Sequence, residues 1–228
     1  MDYRHELKHI VNNHHFDILK GRIGSIMQLD SHLLGDTYNI RSVYFDDYYD
    51  RYMNENESGI NDRSKIRIRI YDHSDKIIKL EIKYKLNGMT KKESCSLNRE
   101  MCDRLLKGEC PSFEECKDNK VLSRLCIEMQ TRVLRPKVIV EYDRTPYIYY
   151  AGNVRVTFDM NIRASNKFDL FFEENIHAIP VLETGMHVLE VKYDEILPDY
   201  ISQILELNSL QQTSFSKYYL SRLTMGGL

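Results

Sequence analysis

The stretch KIRIRIYDHSDKIIKLEIKYK, residues 65–85, predicts a β-hairpin whose two faces differ sharply in chemistry. Before the polar turn, Lys65, Arg67 and Arg69 alternate with isoleucines. After the turn, the charged positions are Lys79, Glu81, Lys83 and Lys85. Successive side chains of a strand point to opposite faces, so one face of this hairpin is apolar and the other is almost entirely cationic.

The length of 228 residues suits one well-cored domain, and we predict a single domain spanning residues 1–228. No long uncharged apolar run is present, so we expect no membrane span in this chain. The first residues lack the basic-then-apolar layout of a secretory signal, and the five cysteines include no CxxC pair. We therefore expect a cytoplasmic protein with neither a disulfide framework nor a zinc site.

The charge of this chain is concentrated in one region. The formal net charge is only −2, yet residues 63–92 contain ten lysines or arginines against three acidic residues. A local cationic cluster in a slightly acidic chain favours a localised anionic ligand. Nucleic acid is not an expected partner, because its binding usually requires a broad basic surface.

The same alternation recurs in other strand-like segments. Their charged or polar positions are Arg4, Glu6 and Lys8; Lys137, Glu141 and Asp143; Arg155, Thr157 and Asp159; and Glu190 and Lys192. Any one such strand is most simply explained as half-buried, with its polar face in water. Taken together, the faces would place like charges opposite one another, which is destabilising unless something neutralises them.

Several amphipathic segments between the strands, including residues 14–27 and 119–133, predict helices that need an apolar surface. The apolar strand faces offer that surface, which would turn the charged faces inward. A sheet closed in this way is a barrel with a polar lumen. We therefore predict an α+β fold built on an antiparallel β-barrel, with the helices packed on its outside.

A lumen with many cations and a few carboxylates indicates a polyanionic ligand, because unpaired buried charge is costly. Arginine donates two hydrogen bonds to a phosphate, and lysine provides a mobile point charge. Carboxylates suit Mg²⁺ or Mn²⁺, which also accept oxygen ligands from phosphates. A triphosphate with a divalent metal is the simplest ligand that satisfies both sets.

An ordered set of motifs carries a family resemblance over nearly the whole chain. The motifs are RHELKH, IRSVYFD, KIRIRIY, LEIKYK, VEYDRTPY, RVTFD, LEVKY and SFSKYYL. In this order they resemble the catalytic domain of the vacuolar transporter chaperone (VTC) polyphosphate polymerases, which are triphosphate tunnel metalloenzymes related to the CYTH proteins. The resemblance implies an eight-stranded antiparallel tunnel that transfers the γ-phosphoryl group of ATP to a growing polyphosphate chain, with Mn²⁺ or Mg²⁺ as cofactor.

The resemblance also implies roles for individual residues. Its phosphate ligands are Lys8, Arg67, Arg69, Lys83, Arg144 and Arg155, with Lys92 as a weaker match and with Ser216 and Lys217 near the tunnel end. Glu190 matches the metal-binding glutamate. The charged faces add Lys85 and Lys192 as phosphate-binding candidates, and Glu6 and Asp159 as metal contacts. Alternatively, Lys192 is a solvated strand residue, Glu6 pairs with neighbouring cations, and Asp159 only ends its strand.

Two departures from the family pattern bear on function. Arg4-x-Glu6-x-Lys8 replaces the two-glutamate ExExK of the CYTH relatives, which argues against the hydrolytic branch, and Ser214 stands where fungal members have lysine. Two alternatives stay open: a tripolyphosphatase or nucleoside triphosphatase of the same fold, and a non-catalytic module that binds polyphosphate or an inositol phosphate. The sequence names no membrane partner.

Overall fold

An antiparallel sheet dominates the computed structural model, which describes residues 3–30, 35–206 and 210–226. Its strands are β1 His5–Asn12, β2 Gln28–Leu29, β3 Tyr38–Asp46, β4 Arg63–Tyr71, β5 Ser74–Leu86, β6 Met89–Leu97, β7 Arg135–Tyr149, β8 Val154–Ser165, β9 Ile179–Pro180 and β10 Met186–Tyr193. The long strands lie in the order β1-β10-β8-β7-β3-β4-β5-β6, while β2 pairs with β7 and β9 with β8.

The sheet curls until its two edge strands meet. Arg4, next to β1, and Thr90 on β6 exchange both backbone N–H to carbonyl bonds at 2.9 Å. This bridge joins the ends of the eight-strand order. The α+β class and the antiparallel eight-stranded architecture predicted from the sequence are thereby confirmed.

Most of the helices that pack on the sheet cover its convex face, and the last one is the exception described below. The described helices are α1 Asn13–Ile23, α2 Arg51–Glu57, α3 Arg99–Leu106, α4 Phe113–Cys116, α5 Lys120–Thr131, α6 Asp199–Ile204 and α7 Lys217–Thr224. Helix α3 packs on β5 and β7 and helix α5 on β5 and β6, while α1 and α6 pack near β1, β8 and β10. No helix within the described ranges is both long and apolar enough to cross a lipid bilayer.

The hairpin of residues 65–85 shows how the sequence pattern fixes the orientation of the sheet. In β4, Ile66, Ile68 and Ile70 are fully buried beneath the outer helices. Burial of each such side chain contributes about 1.5–3 kcal/mol, so turning the apolar face inward would be strongly unfavourable. The opposite face, with Arg67 and Arg69, therefore points into the space that the sheet encloses.

Strand β7 departs from the sequence prediction. Its inward positions include Tyr142 and Arg144, so the prediction that Lys137, Glu141 and Asp143 face the lumen is wrong. Buried Glu141 instead accepts hydrogen bonds from Arg41 and Arg163.

The two other residues of this wrong prediction also have partners outside the lumen. Lys137 ion-pairs with Asp50 at 2.9 Å, and Asp143 accepts hydrogen bonds from Asn39 and Asn161. The lumen on this side is therefore lined by the even-numbered positions of β7.

Helix α7 explains the altered face of β7, because it packs on the inner surface of the sheet. Lys217 at its start ion-pairs with Asp159 of β8 at 2.5 Å. Tyr218 donates to Asp46 at 2.5 Å, and its ring stacks on Tyr44 with centroids 5.1 Å apart. The inner positions of β7 beside this helix must be apolar to pack against it, and α7 thereby forms an inner wall of the lumen.

Candidate active site

A cavity of about 350 Å³ occupies the interior of the curled sheet, and we refer to it as the lumen. Inner side chains of β1, β4, β5, β7 and β10 line it, together with residues 212–218. The sequence-predicted site residues that it brings together are Glu6, Lys8, Arg67, Arg69, Lys83, Lys85, Arg144, Glu190, Lys192, Ser216 and Lys217. Residues far apart in the sequence thus meet in one polar chamber.

Three predicted site residues do not line the lumen. Lys92 extends from β6 to Glu81 at 2.8 Å, with 41% of its side chain exposed. Arg155 lies opposite Lys192 in the register of β8 and β10, but its guanidinium pairs with Asp30 at 3.1 Å. Asp159 is fully buried behind the lining residues.

A crossed quartet of charges joins β1 and β10. The strand register places Glu6 opposite Lys192 and Lys8 opposite Glu190. Lys8 Nζ lies 2.8 Å from Glu6 Oε1 and 3.6 Å from Glu190 Oε2, and Lys192 pairs with both carboxylates as well. We refer to these four residues as the quartet.

The protonation of the quartet follows from this arrangement. Burial alone would raise the pKa of each carboxyl group, but the surrounding lysines outweigh it and hold the pKa of Glu6 and of Glu190 below the usual range. Both carboxylates are therefore ionised at neutral pH. The pKa of Lys8 is raised, because Glu6 and Glu190 outweigh its burial.

Lys83 approaches the quartet from β5 across the lumen. Its ammonium group donates to both Glu6 oxygens, at 3.0 and 2.8 Å. Burial, together with the nearby ammonium groups of Lys8 and Lys192, nevertheless lowers the pKa of Lys83 to about 7. Lys83 is therefore only partly charged at neutral pH, and an anion entering the lumen would favour its charged form.

A second carboxylate, Glu81, orients the arginines of β4. Arg67 donates to Glu81 Oε2 from Nε at 2.8 Å, Lys92 donates to Oε1, and Arg69 lies 4.0 Å away. Burial would raise the pKa of Glu81, but these cations lower it below the usual range. Glu81 therefore fixes the direction of the arginines and keeps them charged in the absence of ligand.

Asp159 has the same supporting function on the opposite side. Arg144 donates to both of its oxygens at 2.6 and 2.7 Å, and Lys217 contacts it as well. Because Asp159 is fully buried and does not line the lumen, this placement does not support it as a metal ligand. It supports the predicted lumen positions of Arg144 and Lys217, which Asp159 holds in place.

One end of the lumen, which we call the mouth, contains Arg63, Lys65 and Lys85. Among the described residues, no carboxylate lies within ion-pair distance of these three cations. Lys65 Nζ instead donates to Asn56 Oδ1 and Ser216 Oγ, both at 2.7 Å. Burial and the surrounding cations hold the pKa of Lys65 well below its usual range.

Sequence reasoning missed several lumen residues. Lys65 stands on the cationic face of the quoted hairpin, so the alternation itself was a signal for it. Tyr44 and Tyr142 gave no such signal, since tyrosine in a strand is usually a packing residue. Residues 212–215 line the lumen from a segment between helices that has no periodicity to interpret.

The donor set at the quartet fits a divalent cation that arrives with phosphate. No group of three or more His, Cys, Asp or Glu side chains in the described part of the chain could hold a metal ion by itself. Glu6 and Glu190 supply two carboxylates on adjacent strands. Mg²⁺ is commonly bound by one or two carboxylates plus substrate phosphates, so these two residues suit such an ion.

Comparisons with known proteins agree with this geometry. The VTC domain family model matches residues 3–225. A solved Bacillus halodurans structure, described as that of a candidate adenylate cyclase, has a TM-score of 0.54 and 17% identity, over 94% of each chain. The Hippeastrum protein HpAC1, whose title reports a dominant triphosphatase activity, has a TM-score of 0.54 and 12% identity, over 100% of this chain and 97% of that one. At these identities the structural likeness shows the fold, and no curated protein matches the sequence.

Proposed function

Because the chain belongs to the VTC domain family, we propose that it is a polyphosphate polymerase that transfers the γ-phosphoryl group of ATP to the end of an inorganic polyphosphate chain. The observation that carries this proposal is the lumen itself, with its converging cations and two adjacent carboxylates. Phosphoryl transfer depends mainly on positioning and on electrostatic stabilisation of the transferring group. Both requirements match a rigid chamber of oriented charges.

The arginines and lysines have distinct roles in this proposal. Arg67 and Arg69, oriented by Glu81 and neighbouring groups, bind oxygens of the β- and γ-phosphates with directed hydrogen bonds. Lys8 and Lys83 neutralise the charge that develops on the transferring group. Arg144 binds phosphate oxygens from β7. Arg155 and Lys92 lie further from the lumen, and their positive charges attract the phosphates at longer range.

Glu190 and Glu6 would hold Mn²⁺ or Mg²⁺ together with the phosphates. When bound, the ion neutralises phosphate charge and acts as a Lewis acid. The residues of the chain align the acceptor, whose terminal phosphate oxygen attacks the γ-phosphorus in line. The bond from the γ-phosphorus to the bridging oxygen breaks, and ADP leaves with that oxygen.

The protonation states in the lumen favour phosphate over water as the acceptor. Glu6 and Glu190 are poor bases at neutral pH because their pKa values are lowered, and no histidine is present among the described lining residues. Activating water would require a base, and Lys83, whose pKa is about 7, could act as one only in its uncharged form; bound phosphate favours its charged form instead. A terminal phosphate is already ionised near neutral pH, so it can attack once it is positioned and water is excluded.

The mouth provides further support for a polymeric ligand. A triphosphate at the quartet and at Arg67 would leave Arg63, Lys65 and Lys85 without an ion-pair partner among the described residues. Additional phosphates of a longer chain would supply such a partner. This arrangement favours a chain of phosphates over a single triphosphate.

The test is incubation of the purified protein with ATP and Mn²⁺, followed by gel separation of products and assays of ADP and free phosphate. We expect a polyphosphate ladder with matching ADP. Free phosphate without a ladder would contradict the polymerase and favour a triphosphatase. Intact ATP despite tight binding would contradict both enzymes and favour a polyphosphate- or inositol-phosphate-binding module.

A further inference from the structure

Two tyrosine hydroxyls in the lumen accept hydrogen bonds from arginines and donate none within the described part of the chain. Arg67 Nη1 donates to Tyr44 Oη at 2.8 Å, and Arg69 Nη2 donates to Tyr142 Oη at 3.0 Å. A guanidinium group has donors and no acceptor, so each phenol receives a hydrogen bond in these pairs. The O–H proton of each phenol is not used by its arginine.

Two other buried tyrosines use their protons within the protein. Tyr218 donates to Asp46 at 2.5 Å, and Tyr52 donates to Glu128. These hydroxyls serve the packing of α2 and α7, since their acceptors are protein carboxylates. The tyrosines that face the arginines therefore differ in kind from those that pack the wall.

Tyr44 is held rigidly with its hydroxyl at the lumen. Only 7% of the residue is exposed, its ring stacks on that of Tyr218, and Arg67 is itself fixed by Glu81. Among the described residues, no acceptor takes the Tyr44 proton. A buried donor without an acceptor is costly, and a phosphate oxygen in the lumen would satisfy it.

We propose that Tyr44 is a further phosphate-binding residue, which donates its phenolic O–H to a phosphate oxygen of the bound chain while Arg67 holds the phenol oxygen. This inference rests on the proposed function in that the ligand is a phosphate chain. Tyr44 supplies a directed hydrogen bond from an uncharged donor that lies beside Arg67. It therefore recognises the acceptor geometry of a phosphate oxygen in addition to its charge.

The groups around Tyr44 give this donor an unusual acidity. The charged or titratable groups facing it are Lys8 of β1, Arg67 and Arg69 of β4, Tyr142 of β7, and Lys217 and Tyr218 of α7. Burial would raise the pKa of Tyr44, but Arg67, Arg69 and Lys217 together lower it. Alkaline pH should therefore remove its proton, and with it the hydrogen bond to phosphate, earlier than for an ordinary tyrosine.

The experiment is calorimetric titration of wild type, Y44F and Y52F with inorganic tripolyphosphate in the absence of metal. We expect Y44F to weaken binding about tenfold or more, as for a lost hydrogen bond to a charged group. Y52F is the matched control, because it removes a buried hydroxyl away from the lumen, and we expect its affinity to equal that of wild type. Equal affinities of wild type and Y44F would overturn the assignment of Tyr44 as a phosphate-binding residue, but not the proposed function. A wild type that does not bind tripolyphosphate would overturn the proposed function as well.

A pH series separates donation to phosphate from mere positioning of Arg67. The ratio of the Y44F and wild-type dissociation constants should shrink as the pH becomes alkaline, because the wild-type phenolate can no longer donate. A ratio that stays constant would mean that Tyr44 acts only through Arg67, and would overturn the proposal. In wild type alone, tripolyphosphate should also reduce the tyrosinate absorbance at alkaline pH, and an unchanged absorbance would contradict it.

Discussion

The quartet and the mouth lie in the same lumen but satisfy their charges in opposite ways. At the quartet, Lys8 and Lys192 each pair with two carboxylates, so the charges are compensated before any ligand arrives. At the mouth, Lys65 donates only to the neutral groups of Asn56 and Ser216. We therefore expect the quartet to have its counter-charges in the ligand-free protein, whereas the mouth cations gain theirs only from a bound ligand.

The largest expected effect comes from removing a carboxylate of the quartet. E190Q should reduce metal-dependent turnover about 100-fold or more, because the charge that would hold the metal and orient Lys8 is lost. Steady-state assays of ADP release measure this effect. The control is E195Q, the same change at an exposed position outside the lumen. An E190Q protein with wild-type turnover would contradict the metal assignment.

Lysine replacements at the two sites should change stability in opposite directions. K192M leaves Glu190 with weaker partners and should lower the free energy of unfolding by about 1–2 kcal/mol, a value reduced because Lys192 is partly exposed. K65M removes a half-buried amine that neighbouring cations repel, so it should raise that free energy. Urea denaturation of the ligand-free protein measures both. Equal losses of stability would eliminate the distinction between the two sites.

K65M should at the same time weaken tripolyphosphate binding about tenfold, because the mouth loses a cation that only the ligand neutralises. Calorimetric titration measures this loss, with K79M as the control on the same hairpin outside the lumen. Stability that rises while affinity falls is the signature of a charge kept for binding. Unchanged affinity in K65M would remove the mouth from the binding site.

The smallest expected effect is a dependence of affinity on pH. Lys83 should make the affinity for tripolyphosphate change a few-fold across neutral pH. Phosphate binding favours the charged form of Lys83, so its pKa of about 7 in the free protein must rise when the ligand binds. Affinity is therefore highest below about 7 and falls as the pH rises through that value. K83R stays charged throughout and should flatten this dependence in titrations across the same pH range. A dependence that persists in K83R would assign it to another group.

The sequence was sufficient to predict most of the fold. The alternation of charged and apolar residues predicted the strands and the inward cationic face. Burying the isoleucines beneath the helices is more favourable than exposing them, so the cationic face must point the other way. On β7, the same reasoning selected the wrong face, since both faces carry charged residues and only the position of α7 decides between them. Alternation shows that a strand has two faces, but tertiary packing decides which one points inward.

The candidate site was predicted less completely than the fold. Residue type and spacing identified the cations of the lumen, but not the side chains that form ion pairs with them. Asp159 was predicted as a metal contact, yet Arg144 and Lys217 occupy its oxygens, and Arg155 pairs with Asp30. Such pairings depend on side chains from distant strands and helices, so a periodic pattern within one strand cannot reveal them.

The pairing of β1 with β10 has a consequence for how the protein folds. These strands lie at residues 5–12 and 186–193, so their pairing joins segments that are about 180 residues apart, and we expect it to form late. Contacts of such high sequence separation close large loops and slow folding. The quartet is built from this pair of strands alone, so its charges meet only when β1 has joined β10: a molecule in which β1 is not yet paired keeps most of its arginines but lacks the paired carboxylates.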